Sequence, residues 1–242
     1  MAAQEDAVKP ILVELFTSEG CSSCPAADRF LTELQESQPI AGVVIIPLGV
    51  HVDYWDHLGW KDPFSAPEFS DRQRELARIW GDEQIYTPQL VINGKTGLVG
   101  SRRQEVLAAL QQAADYRPLQ VQFEALPAGK KGSVIELQIR VEGFAAADSD
   151  RGRYRLRLAV TEDNLQSKVA RGENSGRHLK HVAVVRKLAP VGAFKTPVDF
   201  FQTTTRIELD PSWKRDDLSI VVFVEDLRSL EILGAAGRKV TW

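Results

Sequence analysis

The feature that most constrains this sequence is a pair of cysteines, Cys21 and Cys24, between a strand-like apolar run and a helical pattern. The run Ile11 to Phe16 precedes the pair, and apolar residues follow at positions 27, 30, 31 and 34. That i, i+3, i+4, i+7 spacing is typical of a helix packed on a sheet. The order strand, cysteine turn, helix places Cys21 at a helix N-terminus, where free N–H groups and the helix dipole stabilise a thiolate.

The chain holds two cysteines in all, which is too few and too closely spaced for a disulfide scaffold. A single Cys-x-x-Cys fits either a redox motif or half a zinc site, and its position at a helix start favours the redox motif. We expect Cys21 to attack a substrate disulfide and Cys24 to resolve the mixed disulfide. The expected partners are a protein disulfide or dithiol and an unidentified electron donor or acceptor, with no cofactor and no metal beyond the pair.

The rest of the first half reads as alternating helices and strands. The β-branched run at 43–50 predicts a buried parallel strand, so that strand, helix and strand form a right-handed βαβ unit. Asn93-Gly94 between two short apolar runs predicts a β-hairpin. Capping boxes predict helices that open at Ser65 and at Ser101.

After Arg117-Pro118 the hydrophobic period becomes two, as in the alternating segments 135–141, 154–160 and 220–224. About seven strands at this spacing predict an antiparallel β-sandwich. The predicted fold class is therefore an α/β thioredoxin-like domain followed by an all-β sandwich. The predicted domains are 9–116, with a loop–helix insertion at 51–84, and 117–242.

Two segments resemble known redox proteins. The run from Ile11 through Cys24 is similar to the central strand and active-site turn of thioredoxins. That resemblance implies a proton-shuttling acid on the strand, and Glu14 occupies the matching place when one residue is inserted before Cys21. Thr87-Pro88 resembles the glutaredoxin segment that holds a cis-proline opposite the cysteines, which implies that these two residues shape a substrate groove.

A further resemblance spans the whole chain. The segments Phe16 to Pro25, His51 to Trp60 and Arg177 to Arg186 are similar to the domain of unknown function 1223 family. Its members occur in bacteria and plants, and many bacterial members carry export signals. The resemblance implies a thioredoxin-like domain with a C-terminal β-domain, and no substrate.

The remaining histidines and aromatic residues allow several interpretations. The loop after the second strand could overhang the cysteines, so His51, Asp53 and Trp55 are candidates for a substrate lid. An aromatic plug between the two halves is the favoured alternative, because four aromatic residues in a short loop bury much area. His178 and His181 are three apart in a predicted strand, so they point to opposite faces and are expected to be polar residues at the sandwich edge.

Two functions of other classes stay open. Cys21, Cys24 and His51 could form a copper site, since thiolates favour Cu(I). Alternatively, the protein acts by binding a partner through the sandwich, and the cysteines are incidental.

Charge and hydropathy limit the alternatives. A net charge of -3 gives no reason to expect nucleic-acid binding, and no apolar run reaches the ~18 residues of a membrane span. The polar start Met1 to Ala7 lacks the pattern of a signal peptide. We expect a periplasmic or secreted protein if Met1 replaces a removed signal, and a cytoplasmic one otherwise.

Overall fold

The structure, a computed structural model, describes residues 8–82, 84–129, 133–144, 152–196 and 198–242. The N-terminal residues 1–7, on which the expectation about a signal peptide rests, lie outside this set. Three α-helices are present in the described residues: α1 (Cys24–Ser37), α2 (Pro67–Trp80) and α3 (Arg103–Ala113). The strands are β1 (Lys9–Thr17), β2 (Val43–His51), β3 (Gln89–Ile92), β4 (Thr96–Val99), β5 (Gln120–Ala128), β6 (Val134–Glu142), β7 (Arg153–Glu162), β8 (Leu165–Lys168), β9 (His178–His181), β10 (Val184–Lys195), β11 (Phe200–Glu208), β12 (Leu218–Asp226) and β13 (Ile232–Lys239).

The first half of the chain is built on a βαβ unit, as the sequence predicted. Strands β1 and β2 pair in parallel across α1, and β3 pairs antiparallel with the other edge of β1. The hairpin predicted at Asn93-Gly94 connects β3 to β4, with φ of 46° and 68° at its two residues. The tight turn requires a positive φ at both positions, and asparagine and glycine tolerate it best.

Strand β1 is buried on both faces, which explains its continuous apolar run. Ile11, Val13 and Leu15 pack with α1 and α3 on one face. Leu12 and Phe16 pack with α2 on the other face. This division decides where every side chain of β1 can act, because alternate residues of a strand point to opposite faces.

The two halves of the chain share one large sheet. Its eight strands run in the order β13-β12-β7-β10-β2-β1-β3-β4, so strands of the second half continue the sheet of the first. Contact between β10 and β2 is parallel and is made at Val184 and Gly49. The sheet therefore crosses the predicted boundary between residues 116 and 117.

A three-stranded antiparallel sheet, β11-β6-β5, packs on the strands that the second half of the chain contributes to the large sheet. Nine strands lie in the described part of the second half, against about seven expected. The two packed layers form a sandwich core, in which Ile139 of β6 and Val222 of β12 are both buried. One layer of the sandwich is thus continuous with the first half of the chain, because its strands belong to the sheet that contains β1 and β2.

Both predicted capping boxes are absent. Helix α2 begins after Ala66, and the Ser65 hydroxyl instead donates a hydrogen bond to Asp56. Helix α3 begins after Arg102 without a side-chain cap, two residues beyond Ser101. At α2 the Ser65 hydroxyl bonds to Asp56 and to the Asp62 carbonyl oxygen instead of capping the helix. No helix in the described ranges is both long and apolar enough to cross a membrane.

Candidate functional site

Cys21 and Cys24 form a disulfide at the start of α1, with their Cα atoms 5.4 Å apart. Cys24 is the first residue of the helix, and its backbone N–H donates to the Cys21 carbonyl oxygen at 3.2 Å. The Ser23 hydroxyl lies 3.3 Å from Cys21 Sγ, where it can donate to the sulfur. The hydroxyl and the helix N-terminus both favour negative charge on Cys21.

The segment Thr87-Pro88 lies against this disulfide. The peptide bond between the two residues is cis, and the Thr87 carbonyl oxygen is 3.8 Å from Cys21 Sγ. Immediately after Pro88, β3 pairs with the end of β1 that leads into the cysteine turn. The structure therefore brings together four of the residues singled out in the sequence.

A loop from the second half of the chain covers the disulfide. Residues 169–177, here called the cap, connect β8 to β9. Asn174, fully buried, donates from Nδ2 to the carbonyl oxygens of Glu19 at 2.8 Å and Cys21 at 2.9 Å. Glu173 accepts a hydrogen bond from the Ser22 backbone N–H at 2.9 Å. With the cap in place, Cys21 is only 1% exposed and Cys24 is fully buried.

The cap was missed in the sequence analysis. Its signals were available, since Gly172, Asn174 and Gly176 within one short stretch indicate a turn between two strands. The sequence could not show that this turn folds over the cysteines, which lie about 150 residues earlier in the chain.

Glu14 is not placed with the cysteines. Its carboxylate lies on the α2 face of β1, where Arg72 donates two hydrogen bonds to it at 3.0 and 3.1 Å. Helix α1, which carries Cys24, packs on the opposite face. This position does not support the expected proton shuttle, because the sheet separates the carboxylate from the helix that holds the resolving cysteine.

The loop after β2 packs inward, and only part of it reaches the cysteine turn. Burial alone would lower the pKa of His51. Asp62, whose Oδ2 lies 2.7 Å from His51 Nδ1, together with Asp28 and Glu19 outweighs burial, so the pKa of His51 is raised. Asp53 is held by hydrogen bonds with Ser70 at the start of α2. Trp55 packs against Gly20, where an added Cβ would meet the tryptophan Cβ at 3.2 Å.

The two histidines of β9 lie on opposite faces, as the spacing predicted. His178 is exposed, whereas His181 is 3% exposed and lies behind the cysteines. Its Nε2 is 3.0 Å from Glu19 Oε1, and its ring contacts that of His51 at 4.8 Å. The expectation that His181 is a polar residue of the sandwich edge is therefore wrong.

No group of three histidine, cysteine, aspartate or glutamate side chains within the described ranges could hold a metal ion. The structure thus does not gather Cys21, Cys24 and His51 as the copper alternative requires. His51 has its own partner in Asp62.

The fold and the site define a mixed α/β protein with a Cys-x-x-Cys disulfide at the start of a helix, sealed by a loop from a β-rich second half. The chain belongs to the family described as protein of unknown function (DUF1223), whose model matches residues 12–225. This confirms the resemblance seen in the sequence.

Two solved structures share the fold. The crystal structure of protein AGR_C_4864 from Agrobacterium tumefaciens has a TM-score of 0.67 and 24% identity, with 96% of each chain covered. HBP35 of Porphyromonas gingivalis also has a TM-score of 0.67, at 14% identity, over 96% of this chain and 75% of that one. At these identities the similarity concerns the fold alone. No curated protein matches the chain.

Proposed function

We propose that this protein is a thiol–disulfide oxidoreductase with a thioredoxin-like first half, and that Cys21 and Cys24 are its redox centre. One observation carries the proposal: the disulfide opens α1 and lies against the cis Thr87-Pro88 segment. An inert structural pair would need neither the helix N-terminus nor a backbone carbonyl at the sulfur.

The arrangement of the first half supports the thioredoxin-like assignment. The parallel βαβ unit is followed by the antiparallel hairpin β3–β4, and α3 packs on the same face as α1. Helix α2 packs on the other face of the sheet. The cysteine turn follows the carboxyl end of β1. Open α/β sheets bind their substrates at the edge formed by the carboxyl ends of the strands.

The chemistry assigns different roles to the two sulfurs. Cys21 precedes the helix and has the Ser23 hydroxyl and the helix N-terminus to stabilise its thiolate, so it is the nucleophile. Cys24 lies within the first turn, fully buried, and attacks the mixed disulfide to release the substrate thiol. The partners are a protein disulfide or dithiol and an electron donor or acceptor.

A peptide substrate would meet polar atoms without partners in two residues that contact the cysteine turn. Asn174 Oδ1 and Trp55 Nε1 are buried without a hydrogen-bond partner among the described residues. One is an acceptor and the other a donor, as a peptide backbone requires. Since Cys21 is only 1% exposed, exchange with a protein requires the cap to open.

The experiment that tests the proposal compares two single-cysteine variants, Cys24→Ser and Cys21→Ser. Each is treated with oxidised glutathione and analysed by intact mass. We expect Cys24→Ser to retain glutathione as a stable mixed disulfide, because the resolving thiol is gone. The reduced wild type should end as the internal disulfide without an adduct.

Cys21→Ser is the matched control, since its remaining thiol, that of Cys24, is fully buried in the first turn of α1. It should form the adduct at least ~10-fold more slowly, because a buried thiol without a stabilised thiolate is inert. Equal rates for the two variants, or no adduct on either, would contradict the assignment of Cys21 as nucleophile.

A further inference from the structure

A group of buried titratable side chains lies behind Cys24. Asp28 is four residues further along α1, and residues at i and i+4 are neighbours on one helix face. Both residues face inward: Cys24 is fully buried and Asp28 is 7% exposed. The Thr17 hydroxyl at the end of β1 donates to Asp28 Oδ1 at 2.8 Å, which fixes the carboxyl group beneath the cysteine turn.

A histidine from the second half of the chain completes this group. His181 of β9 lies between two carboxyl groups, with Nδ1 at 3.8 Å from Asp28 Oδ2 and Nε2 at 3.0 Å from Glu19 Oε1. Glu19 Oε2 also accepts a hydrogen bond from Trp60 Nε1 at 2.8 Å. The cysteine turn, the loop after β2 and the hairpin β8–β9 therefore meet at one buried polar group.

Among the described residues, the charged groups that act on Asp28 belong to this assembly. His181 comes from β9, His51 from β2 and Asp62 from the loop before α2, and Glu19 pairs with His181. Burial raises the pKa of Asp28, and the two histidines together with the Thr17 hydroxyl offset only part of that effect. Burial that raises the pKa favours the protonated carboxyl group, so such a group can donate a proton as well as accept one.

We propose that Asp28 is the proton donor and acceptor for Cys24, and that His181 is the positioning residue that sets its protonation. The inference rests on the proposed exchange function and names the group that exchanges a proton with the buried sulfur of Cys24. The geometry carries it: a carboxyl group one helical turn from Cys24, held by Thr17 and reached by a histidine of the other half.

When the thiolate of an incoming dithiol attacks Cys21 Sγ, a new S–S bond forms and the Cys21–Cys24 bond breaks. Cys24 leaves with the electron pair and takes the proton from the Asp28 carboxyl group. In the reverse direction Asp28 accepts the proton of the Cys24 thiol as that sulfur attacks the mixed disulfide, and the substrate thiolate leaves with the electron pair.

The test measures the resolving step in the full chain by single turnover. Reduced protein is mixed with excess oxidised glutathione at a series of pH values, quenched with acid and counted by mass as mixed disulfide or internal disulfide. Asp28→Asn keeps an acceptor for the Thr17 hydroxyl but cannot take the proton. We expect its resolution rate to fall by about 10²-fold near neutral pH, the usual scale for loss of a general base.

Two comparisons separate a proton-transfer role from a structural one. Glu14→Gln removes a buried carboxylate on the α2 face of β1, away from α1, and should leave the pH profile unchanged. His181→Gln removes the side chain that lowers the pKa of Asp28, so the inflection in the pH profile should move to higher pH. A merely structural effect would change the rate without moving the inflection.

The outcomes also separate this inference from the proposed function. If the wild type forms no internal disulfide at any pH, the proposed function fails. If the wild type resolves the mixed disulfide, while Asp28→Asn and His181→Gln share its rate and pH profile, the function stands and the role of Asp28 is overturned.

Discussion

Arg72 shows at the scale of single residues how the two halves of the chain depend on each other. Its guanidinium lies on α2, is 1% exposed and donates to Glu14 of β1 and to Glu225 of β12. Glu225 also accepts from Arg155 and Arg157 of β7. Burial would raise the pKa of Glu225, but the three arginines outweigh it and hold that pKa below its ordinary value.

We predict that Arg72→Met destabilises the protein by about 3–5 kcal/mol, the usual cost of leaving a buried charge without its partner. Glu14 has no other partner among its described hydrogen bonds, so its carboxylate would be left uncompensated. Urea unfolding followed by circular dichroism measures the change in the free energy of unfolding.

Arg74→Met is the matched control on the same helix. Arg74 is 40% exposed and pairs with the exposed Asp71, so its loss should change stability by less than about 1 kcal/mol. Equal effects of the two substitutions would show that the ion cluster around Arg72 does not stabilise the fold.

Glu14 also shows how the resemblance to thioredoxins leads to an expected role that the position of the residue does not support. The apolar run, the cysteine spacing and the acid on the strand were all in the sequence. One inserted residue before Cys21 reverses the face, because the side-chain period of a strand is two. Asp28 carried a signal of its own, as a charged residue among the apolar positions of α1.

The cap is the element of the second half that is hydrogen-bonded to the cysteine turn. It is held by two hydrogen bonds from Asn174 and one to Glu173, and the glutamate contact is exposed. Hydrogen bonds of this kind contribute roughly 0.5–1.5 kcal/mol each, and the buried pair from Asn174 dominates. Local opening of such a loop needs far less free energy than global unfolding.

We predict that Asn174→Ala speeds reduction of the disulfide by a water-soluble phosphine about 10-fold, since ~1.4 kcal/mol less is needed to open the cap. The rate is measured under pseudo-first-order conditions, with alkylation of the released thiols. Ser175→Ala in the same loop is the control, because that exposed hydroxyl bonds only within the cap. Identical rates for wild type and Asn174→Ala would contradict the role of the cap as the barrier.

The sequence predicted which helices and strands exist better than it predicted where they begin and end. The βαβ unit and the hairpin β3–β4 were confirmed, because periodicity and Asn-Gly chemistry are local signals. The starts of α2 and α3 were wrong, since Ser65 bonds to Asp56 rather than to its own helix.

The whole molecule is organised around the eight-stranded sheet. Ile46 and Leu48 of β2 share a core with Val221 and Phe223 of β12, on the face covered by α2. Strand β2 has β10 as its outer neighbour, so the first half alone would expose a hydrophobic strand edge. The hairpin β3–β4 makes a second contact between the two halves. Gly94 packs so closely on Leu230 that an added Cβ would overlap the Leu230 backbone.

We predict that a fragment of residues 8–116 does not fold cooperatively by itself, whereas the full chain unfolds in one transition. The shared core and the paired edge of β2 would both be lost on truncation. Thermal unfolding of fragment and full chain, followed by tryptophan fluorescence and by circular dichroism, tests this. A sharp transition of the fragment would show that the boundary predicted at 116/117 separates independent folding units.

The sequence did not reveal this shared sheet. The change of hydrophobic period after Pro118 correctly located the β-rich half, but periodicity describes one segment at a time. The pairing of β2 with β10 joins residues about 140 positions apart. Long-range packing decides such a pairing, and the hydrophobic period of a single segment does not encode it.

The central claim is that Cys21 and Cys24 are a working redox couple. The most direct test is an equilibrium titration of the full chain in glutathione buffers, with metals chelated and thiols read by alkylation. We predict a reversible two-electron couple with a potential between about -270 and -120 mV, the range of known exchange proteins. A pair that stays fully oxidised or fully reduced across that range, without a reversible transition, would contradict the account.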